Sequence, residues 1–417
     1  MITRSRPRDG RAESWSVSSG TVDMLVTTLA LGVVSYLVLG IGARLLSERE
    51  MASFVALWAV LNTMTLTAVV PVEHLAPRLM STMSTDLARR AVFLHSNVLA
   101  IVAAGVALVV NALAGEGAAA SLRVAALGFA ITVGIWSGWR AGAIGSGRFR
   151  SVRSGALRNM VVAVTAMIVL AAAHTSNPAW LFLAVALGNL GGTVGGRPVA
   201  EAERAERSWR HSLLSINDYR LLGAMAAATF ASLALNNGSL ILARRWGLTS
   251  AQIVAYTGAL NLVRVPYMLL NNVMAPMNLR FVSLARSGDW HRLRRLTWMV
   301  LAALTACVCV VAAGTALLGP LGARLLVGSD YHLSRGLACG VAVAEGLVWI
   351  TVVPRLVGAA LGATRLLLVA WGLGVAAFGA IAVAPIDATV KLVAAPVCAA
   401  LAIVLSASVL VTQASPR

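Results

Sequence analysis

Residues 366–385 read LLLVAWGLGVAAFGAIAVAP, a run that contains no Asp, Glu, Lys or Arg. An α-helix rises 1.5 Å per residue, so about twenty apolar residues are enough to cross the hydrocarbon core of a bilayer. Nothing in this run opposes burial in lipid. The stretch therefore predicts a transmembrane helix, and it defines the pattern to look for in the rest of the chain.

Runs of this kind recur along all 417 residues. Apolar residues make up 59% of the chain and charged residues only 12%, whereas soluble domains have roughly half and a quarter. This composition excludes a soluble enzyme, a disordered chain and a fibrous repeat. The sequence predicts an all-α polytopic membrane protein with about twelve transmembrane helices, at roughly 21–43, 52–80, 91–113, 121–143, 155–173, 179–196, 221–243, 251–276, 297–318, 335–358, 366–385 and 389–411.

The basic residues predict the orientation of these helices. There are 34 Lys and Arg against 16 Asp and Glu, and Lys391 is the only lysine. With the N-terminus inside, 25 basic residues fall on the cytoplasmic side and 8 outside, and Arg264 lies within a span. Basic residues accumulate on the cytoplasmic side of membrane proteins. The protein is therefore predicted to lie in the cell membrane with both termini in the cytoplasm. This distribution explains the net charge of +18 without a nucleic acid partner.

The chain divides into two similar halves. In the second and eighth spans three dipeptides recur at an offset of 199, namely Val55-Ala56, Leu61-Asn62 and Ala76-Pro77 as Val254-Ala255, Leu260-Asn261 and Ala275-Pro276. Near the fourth and tenth spans the offset is 215, with Arg140, Gly147 and Arg150 recurring as Arg355, Gly362 and Arg365. Two six-helix lobes related by a pseudo-two-fold axis along the membrane normal are predicted, an architecture found in alternating-access transporters.

This repeat sets the expected domain boundaries. We expect a basic cytoplasmic N-terminal tail, an N-lobe with helices 1–6, a cytoplasmic linker, a C-lobe with helices 7–12 and a cytoplasmic C-terminal tail, at 1–20, 21–196, 197–220, 221–411 and 412–417. The linker has a mixed-charge pattern typical of a solvated surface segment. No other loop is long enough for an external catalytic domain.

Arg264 is the most informative charge inside a predicted span. A charge within the hydrocarbon is costly, so such residues usually face a cavity or a partner. Asn261, Asn271 and Asn272 lie on the same polar stripe of the eighth span, and Asn62 takes the place of Asn261 in the second span. Arg264 is expected to be either a contact for anionic cargo in a cavity or an arginine paired with a neighbouring helix.

Three acidic residues are candidates for ion coupling. Glu73, near the cytoplasmic end of the second span, is expected either to pair with Arg78 or Arg158 or to take part in coupling. Glu345, in the middle of the tenth span, is either a hydrogen-bonded core carboxyl or a proton-coupling site. Asp23, at the start of the first span, is either a partner of the helix dipole or a coupling residue.

Further polar residues are candidates for lining a cargo pathway. The arginines at cytoplasmic helix ends are either topology anchors or a basic vestibule for a pyrophosphate; they are Arg78, Arg140, Arg158 and Arg355. Polar side chains within the third and seventh spans are candidate lining residues, namely His95, Asn97, Asn236 and Asn237.

No motif for covalent chemistry is found in the sequence. Gly191-Gly192 and Gly195-Gly196 are not followed by Lys and Ser or Thr, as a phosphate-binding loop would require. Zinc-ligand spacing and a serine-centred nucleophile elbow are also missing from the sequence. We therefore expect a protein that is not an enzyme and that uses no cofactor or metal.

Several segments resemble one family of membrane proteins. They are residues 45–57 (LLSEREMASFVAL), 140–149 (RAGAIGSGRF), 248–256 (LTSAQIVAY), 262–266 (LVRVP) and 284–289 (LARSGD). In this layout the chain resembles the polysaccharide-export flippases, the Wzx-type members of the multidrug/oligosaccharidyl-lipid/polysaccharide (MOP) exporter superfamily. The resemblance covers nearly the whole chain.

The resemblance implies a function. Two lobes would rock about a central basic cavity and move an undecaprenyl-diphosphate-linked oligosaccharide from the cytoplasmic to the outer leaflet. Arg264, and less directly the four arginines at cytoplasmic helix ends, would meet the diphosphate. The implied partners are the lipid-linked oligosaccharide and membrane lipids, with H⁺ or Na⁺ as candidate coupling ions and a glycan polymerase or glycosyltransferases as candidate protein partners.

Two other functions remain open at this point. A cation-coupled multidrug antiporter of the same superfamily needs a buried acidic pair and an aromatic-lined pocket, and the chain has only 8 Phe and 5 Tyr. A non-transporting membrane subunit of a glycan-synthesis complex would instead bury Arg264 and Glu345 against neighbouring helices.

Overall fold

The computed structural model describes residues 17–113, 120–173, 177–194, 214–243, 245–327 and 334–413. Within these ranges the chain forms thirteen α-helices and no strand. The helices are α1 (Val17–Leu45), α2 (Glu48–Thr82), α3 (Thr85–Leu113), α4 (Ala120–Gly145), α5 (Phe149–Ala172), α6 (Ala179–Thr193), α7 (Ile216–Leu242), α8 (Ser250–Ser287), α9 (Trp290–Val327), α10 (Arg335–Ile350), α11 (Val352–Leu361), α12 (Thr364–Val383) and α13 (Ala388–Gln413).

The helices agree with the predicted spans. Eight helical segments among the described residues are long and apolar enough to cross a membrane, and α6 is a shorter apolar helix. The chain is therefore a multi-pass membrane protein. Most of each predicted tail and most of the predicted linker lie outside the described residues.

The tenth predicted span is broken into two helices. α10 ends at Ile350 and α11 begins at Val352, with Thr351 between them. Pro354 explains the break, because proline has no amide to donate to the carbonyl of Ile350 and its ring collides with that carbonyl. The predicted span over 335–358 is one apolar segment, Arg335–Leu361, with a local interruption at Thr351 that the sequence analysis did not predict. The repeat-related position in the fourth span is Trp139, and α4 continues unbroken.

The two long helices α2 and α8 begin with the same capping arrangement. The Ser47 amide donates to Glu50 Oε2 over 3.0 Å, and the Thr249 amide donates to Gln252 Oε1 over 2.9 Å. In both helices the cap hydroxyl also accepts from the amide three residues later. These capping boxes satisfy amides that have no partner within the helix.

The turns after the fourth and tenth spans are also alike. Gly147 and Gly362 have φ angles of 70° and 68°, which glycine adopts without steric cost. The next amide in each turn, of Arg148 and of Ala363, donates over 2.8 Å to the carbonyl five residues earlier. This is the Schellman pattern of helix ends. The offset of 215 seen in the sequence thus corresponds to a repeated local structure.

The described residues pack as two lobes, α1–α6 and α7–α13. An aromatic cluster forms the core of the first lobe and consists of Phe54, Trp58, Phe129 and Phe182. The second lobe has its own core, built mainly from α8, α9, α10 and α11. Each lobe therefore has a buried core of its own.

The lobes meet at the end of the bundle that is predicted to face the cytoplasm. Leu75 and Leu79 of α2 belong to one buried cluster with Leu221 and Met225 of α7 and with Ala359 of α11. A second cluster brings the starts of α1 and α5 and the end of α4 against Ala275 and Leu279 of α8. The remaining buried clusters of described residues each belong to one lobe.

Candidate functional site

A buried ion pair joins two helices of the C-lobe. Arg264 of α8 donates from Nε to Glu345 Oε1 of α10 over 3.2 Å, and its Nη2 donates to Asn237 Oδ1 of α7 over 2.9 Å. Trp349 Nε1 donates to the same Glu345 oxygen over 3.1 Å. The Glu345 side chain is 3% exposed and that of Arg264 is 22% exposed. Of the two alternatives for Arg264, pairing with a neighbouring helix is observed, and part of the side chain stays accessible.

Sequence reasoning selected both members of this pair but not their contact. Arg264 and Glu345 are 81 residues apart, so no helical spacing indicates that they meet. Trp349 was not selected as a functional residue. Its position four residues after Glu345 places both side chains on one face of α10, which is the signal that identifies it.

The N-lobe contains a second buried pair. Glu73 Oε2 of α2 lies 3.1 Å from Arg140 Nη2 of α4, with side chains 10% and 17% exposed. The expected pairs of Glu73 with Arg78 or Arg158 are therefore wrong. Arg158 instead donates to the carbonyl of Gly192 over 3.3 Å, near the C-terminal end of α6, where a cation complements the helix dipole.

Arg78 crosses from the N-lobe to the C-lobe. Its Nη1 donates to the carbonyl of Ala360 near the C-terminal end of α11 over 3.2 Å, and its Nε lies 3.9 Å from Asp218 Oδ1 of α7. A Cβ atom added to Gly362 would lie 2.8 Å from an Arg78 nitrogen. Glycine at this position therefore allows both the left-handed turn and the approach of the guanidinium.

Two further polar contacts join the lobes at the same end. Asn278 Nδ2 donates to the carbonyl of His74 over 2.9 Å, and His95 Nε2 lies 2.8 Å from the Tyr219 hydroxyl oxygen. His95 was among the candidate lining residues. Asn278, Tyr219 and the Arg78 partner Asp218 were missed, because nothing in their local sequence shows that they face another lobe.

Asp23 forms an ion pair within the N-lobe. Its Oδ1 lies 2.8 Å from Arg153 Nη1, and this ion pair joins α1 to α5. Asp23 is the seventh residue of α1, and the first turn of this helix contains no acidic residue. Since the helix dipole acts mainly within the first turn, the interpretation of Asp23 as a dipole partner is wrong.

Arg355 is the repeat counterpart of Arg140, but its surroundings differ. It is 6% exposed, and its Nη1 donates to the Thr229 hydroxyl over 3.2 Å. Among the described residues no carboxylate pairs with it, and its Nε has no hydrogen-bond partner. At the offset of 199, the counterpart of Glu73 in the sequence is Asn272, an uncharged residue.

The predicted polar stripes fall largely outside the described side chains. The side chains that are not described are those of Asn62, Asn236, Asn261, Asn271 and Asn272. Asn237 is described, and besides accepting from Arg264 it donates to the carbonyl of Leu233 over 3.0 Å. The predicted roles of the five other asparagines stay predictions.

Comparison with solved structures identifies the fold. A MOP superfamily transporter from Pyrococcus furiosus matches with a TM-score of 0.75 and 11% identity, over 96% of each chain. A mutant of the Vibrio cholerae MATE transporter VcmN matches with a TM-score of 0.74 and 14% identity, over 95% of this chain and 96% of that one. The fold is that of the MATE transporters. A multidrug resistance MATE transporter in an outward-facing conformation also matches, with a TM-score of 0.70 and 12% identity, over 95% of each chain.

These matches confirm the predicted fold of two six-helix lobes. At 11–14% identity they establish architecture and not activity. No protein-family model matches the chain, and no curated protein matches it in sequence. The neighbours show the fold, while the MOP superfamily and its Wzx-type branch stay predictions.

Proposed function

We propose that the protein is an alternating-access exporter whose lobes separate and close at the contacts around Arg78. The observation that carries the proposal is that two lobes with separate cores meet at one end of a MATE-type bundle. With both termini in the cytoplasm, as the arginine distribution predicts, that end is cytoplasmic. The state described above is then outward-facing, and its location is the cell membrane.

The Arg264–Glu345 pair is the proposed coupling centre. A buried ion pair that loses one charge leaves the other uncompensated, which is energetically costly. Protonation of Glu345, or binding of Na⁺ to its carboxylate, would therefore release Arg264 and favour a different arrangement of α8 and α10. Glu73, with Arg140, is the corresponding candidate in the N-lobe.

The proposed cargo is a small organic molecule that is exported in exchange for a cation moving down its gradient. Several solved neighbours are described as MATE transporters, one of them as a multidrug resistance transporter. This supports a cation-coupled exporter ahead of the lipid-linked oligosaccharide flippase suggested by the sequence. The proposal involves no covalent chemistry, so the protein would not be an enzyme.

A lipid-linked oligosaccharide flippase is the second candidate, and one observation favours it. Arg355 is a buried cation without a carboxylate among the described residues, and a diphosphate could compensate such a charge. The Pyrococcus furiosus transporter is described as having a binding pocket of reverse polarity that suggests a different function.

Transport by proteoliposomes tests both candidates. We expect efflux of a fluorescent organic cation to follow an applied H⁺ or Na⁺ gradient, and to be lost in Glu345→Gln. The matched control Asp289→Asn changes an acidic residue at the start of α9 and should transport normally. Cation efflux that ignores both gradients would contradict the coupling. Translocation of a fluorescent polyprenyl-diphosphate sugar without cation efflux would select the flippase.

A further inference from the structure

An apolar groove lies on the surface of the C-lobe. It is a shallow groove between α9, α11 and α13. Its lining residues are Arg294, Thr297, Trp298, Leu301, Val353, Pro354, Val357, Val404, Ala407 and Ser408. Three helices of the C-lobe therefore leave a slot between them.

The walls of this groove offer almost no hydrogen bonds to an occupant. The Thr297 hydroxyl donates to the carbonyl of Leu293 over 2.8 Å, and the Ser408 hydroxyl donates to the carbonyl of Val404 over 2.8 Å. Both hydroxyls are thus satisfied within their own helices. The rest of the lining is apolar apart from Arg294, so the occupant of the slot should be a hydrocarbon chain.

A single cation stands at one end of the groove. Arg294 is exposed, and it has no hydrogen bond or ion pair among the described residues. It lies one helical turn before Trp298, which is 53% exposed, near the predicted cytoplasmic end of α9. An apolar slot with one unpaired arginine at the level of the lipid headgroups complements a molecule with an acyl chain and an anionic phosphate.

We propose that this groove binds one anionic phospholipid of the cytoplasmic leaflet, with its acyl chain along α9, α11 and α13 and its phosphate at Arg294. Anionic lipids are attracted to basic residues at that surface. The site is distinct from both buried ion pairs, and its occupancy does not depend on which cargo is transported.

The site also has a consequence for α11. Val353 and Val357 line the groove, while Arg355 on the opposite face donates to Thr229 and the Ala360 carbonyl receives Arg78. A lipid in the groove would therefore support α11 from the membrane side at the segment where the lobes meet. Cytoplasmic closure is expected to be more stable when the groove is filled.

Retention of lipids by the purified protein tests the proposal. The full chain is equilibrated in micelles with equal amounts of phosphatidylglycerol and phosphatidylcholine, and the lipids that remain bound are identified by native mass spectrometry. We expect one tightly retained phosphatidylglycerol. Arg294→Gln should weaken its retention about fivefold, since one basic residue contributes on the order of 1 kcal/mol to binding of anionic lipid.

Two variants make the test specific. Arg295→Gln removes the adjacent exposed arginine, which does not line the groove, and should leave retention unchanged. Ser408→Phe fills the groove and should reduce retention of both lipids. Equal retention of the two lipids by the unmodified protein, equal loss in Arg294→Gln and Arg295→Gln, or a second copy of the chain in place of the lipid would overturn the proposal.

Discussion

Arg140 and Arg355 occupy equivalent places in the two lobes, each seven residues before a glycine with a left-handed turn. Arg140 faces the carboxylate of Glu73, whereas Arg355 contacts the hydroxyl of Thr229. The turn after the two arginines is therefore the same in both lobes, while the groups that compensate their charges differ. Equivalent arginines in the two lobes should consequently respond differently to substitution.

The largest effect is expected for neutralising these two arginines. Arg140→Gln leaves Glu73 buried without its partner and should lower the free energy of unfolding by about 3–5 kcal/mol. Arg355→Gln removes a buried charge that has no carboxylate partner among the described residues. The free energy of unfolding of this variant should therefore fall by less than about 1 kcal/mol or rise. Thermal unfolding in detergent, followed by tryptophan fluorescence, measures both. Equal losses would contradict the distinction.

A double substitution sharpens the comparison within the N-lobe. Glu73→Gln combined with Arg140→Gln removes both charges and should recover about 2 kcal/mol of the loss seen in the single variants. The coupling free energy is obtained from unfolding of the four proteins of the cycle. The control combines Glu73→Gln with Arg355→Gln. Because Glu73 and Arg355 do not form an ion pair, the effects of these two substitutions on the free energy of unfolding should be additive.

The two glycines allow a comparison at the interlobe contact. Gly147→Ala and Gly362→Ala should each cost about 1 kcal/mol, because both glycines have positive φ. The nearest atom to an added Cβ at Gly147 is 3.8 Å away, whereas at Gly362 the Arg78 guanidinium would have to move. Only Gly362→Ala should therefore displace Arg78 from the Ala360 carbonyl.

Spin labels at Ser84 and Asn217, exposed residues at the cytoplasmic end of different lobes, detect this difference. We expect a longer or broader distance distribution in Gly362→Ala and an unchanged one in Gly147→Ala. If both variants widen the distance equally, the contact of Arg78 does not hold the lobes together.

The smallest effect concerns the two capping boxes. Hydrogen bonds from the Ser47 hydroxyl and amide lower the pKa of Glu50 from its ordinary value of 4.5. Because the pKa of Glu50 is lower in the folded state, ionised Glu50 stabilises that state. This stabilisation is present above about pH 4.5 and is lost as the pH falls through the folded-state pKa. Gln252 at the start of α8 does not titrate.

Hydrogen exchange at pH 7 and pH 4, corrected for the intrinsic rates, measures this contrast. The first turn of α2 should lose protection at the lower pH relative to the first turn of α8. Equal changes at both helix starts would show that the Glu50 cap does not carry the effect.

The architecture could be predicted from the sequence for physical reasons. The bilayer imposes a helix of about twenty apolar residues on every crossing, so hydropathy alone locates the spans. The repeated Arg140 and Gly147 motif indicated two similar lobes, and the matching turns confirm that local repeat. The break at Thr351 was missed although Pro354 was visible in the sequence, because proline is tolerated in many membrane helices.

The site was predicted less completely. Single-residue reasoning selects Arg264 and Glu345, since any charge in hydrocarbon needs compensation. It does not select partners, because residues from different helices meet only through packing. Glu73 shows the limit: Arg78 of the same helix and Arg158 of α5 were considered, and the observed partner is Arg140 of α4.

The break at Thr351 divides the tenth span into two helical segments. Its outer segment is anchored in the C-lobe by Glu345, and its inner segment of ten residues, about 15 Å long, bears on the N-lobe through the Ala360 carbonyl. The fourth span has no such break. When the cytoplasmic end opens, we therefore expect the backbone at Thr351 to bend before the ion pair of Glu345 with Arg264 changes.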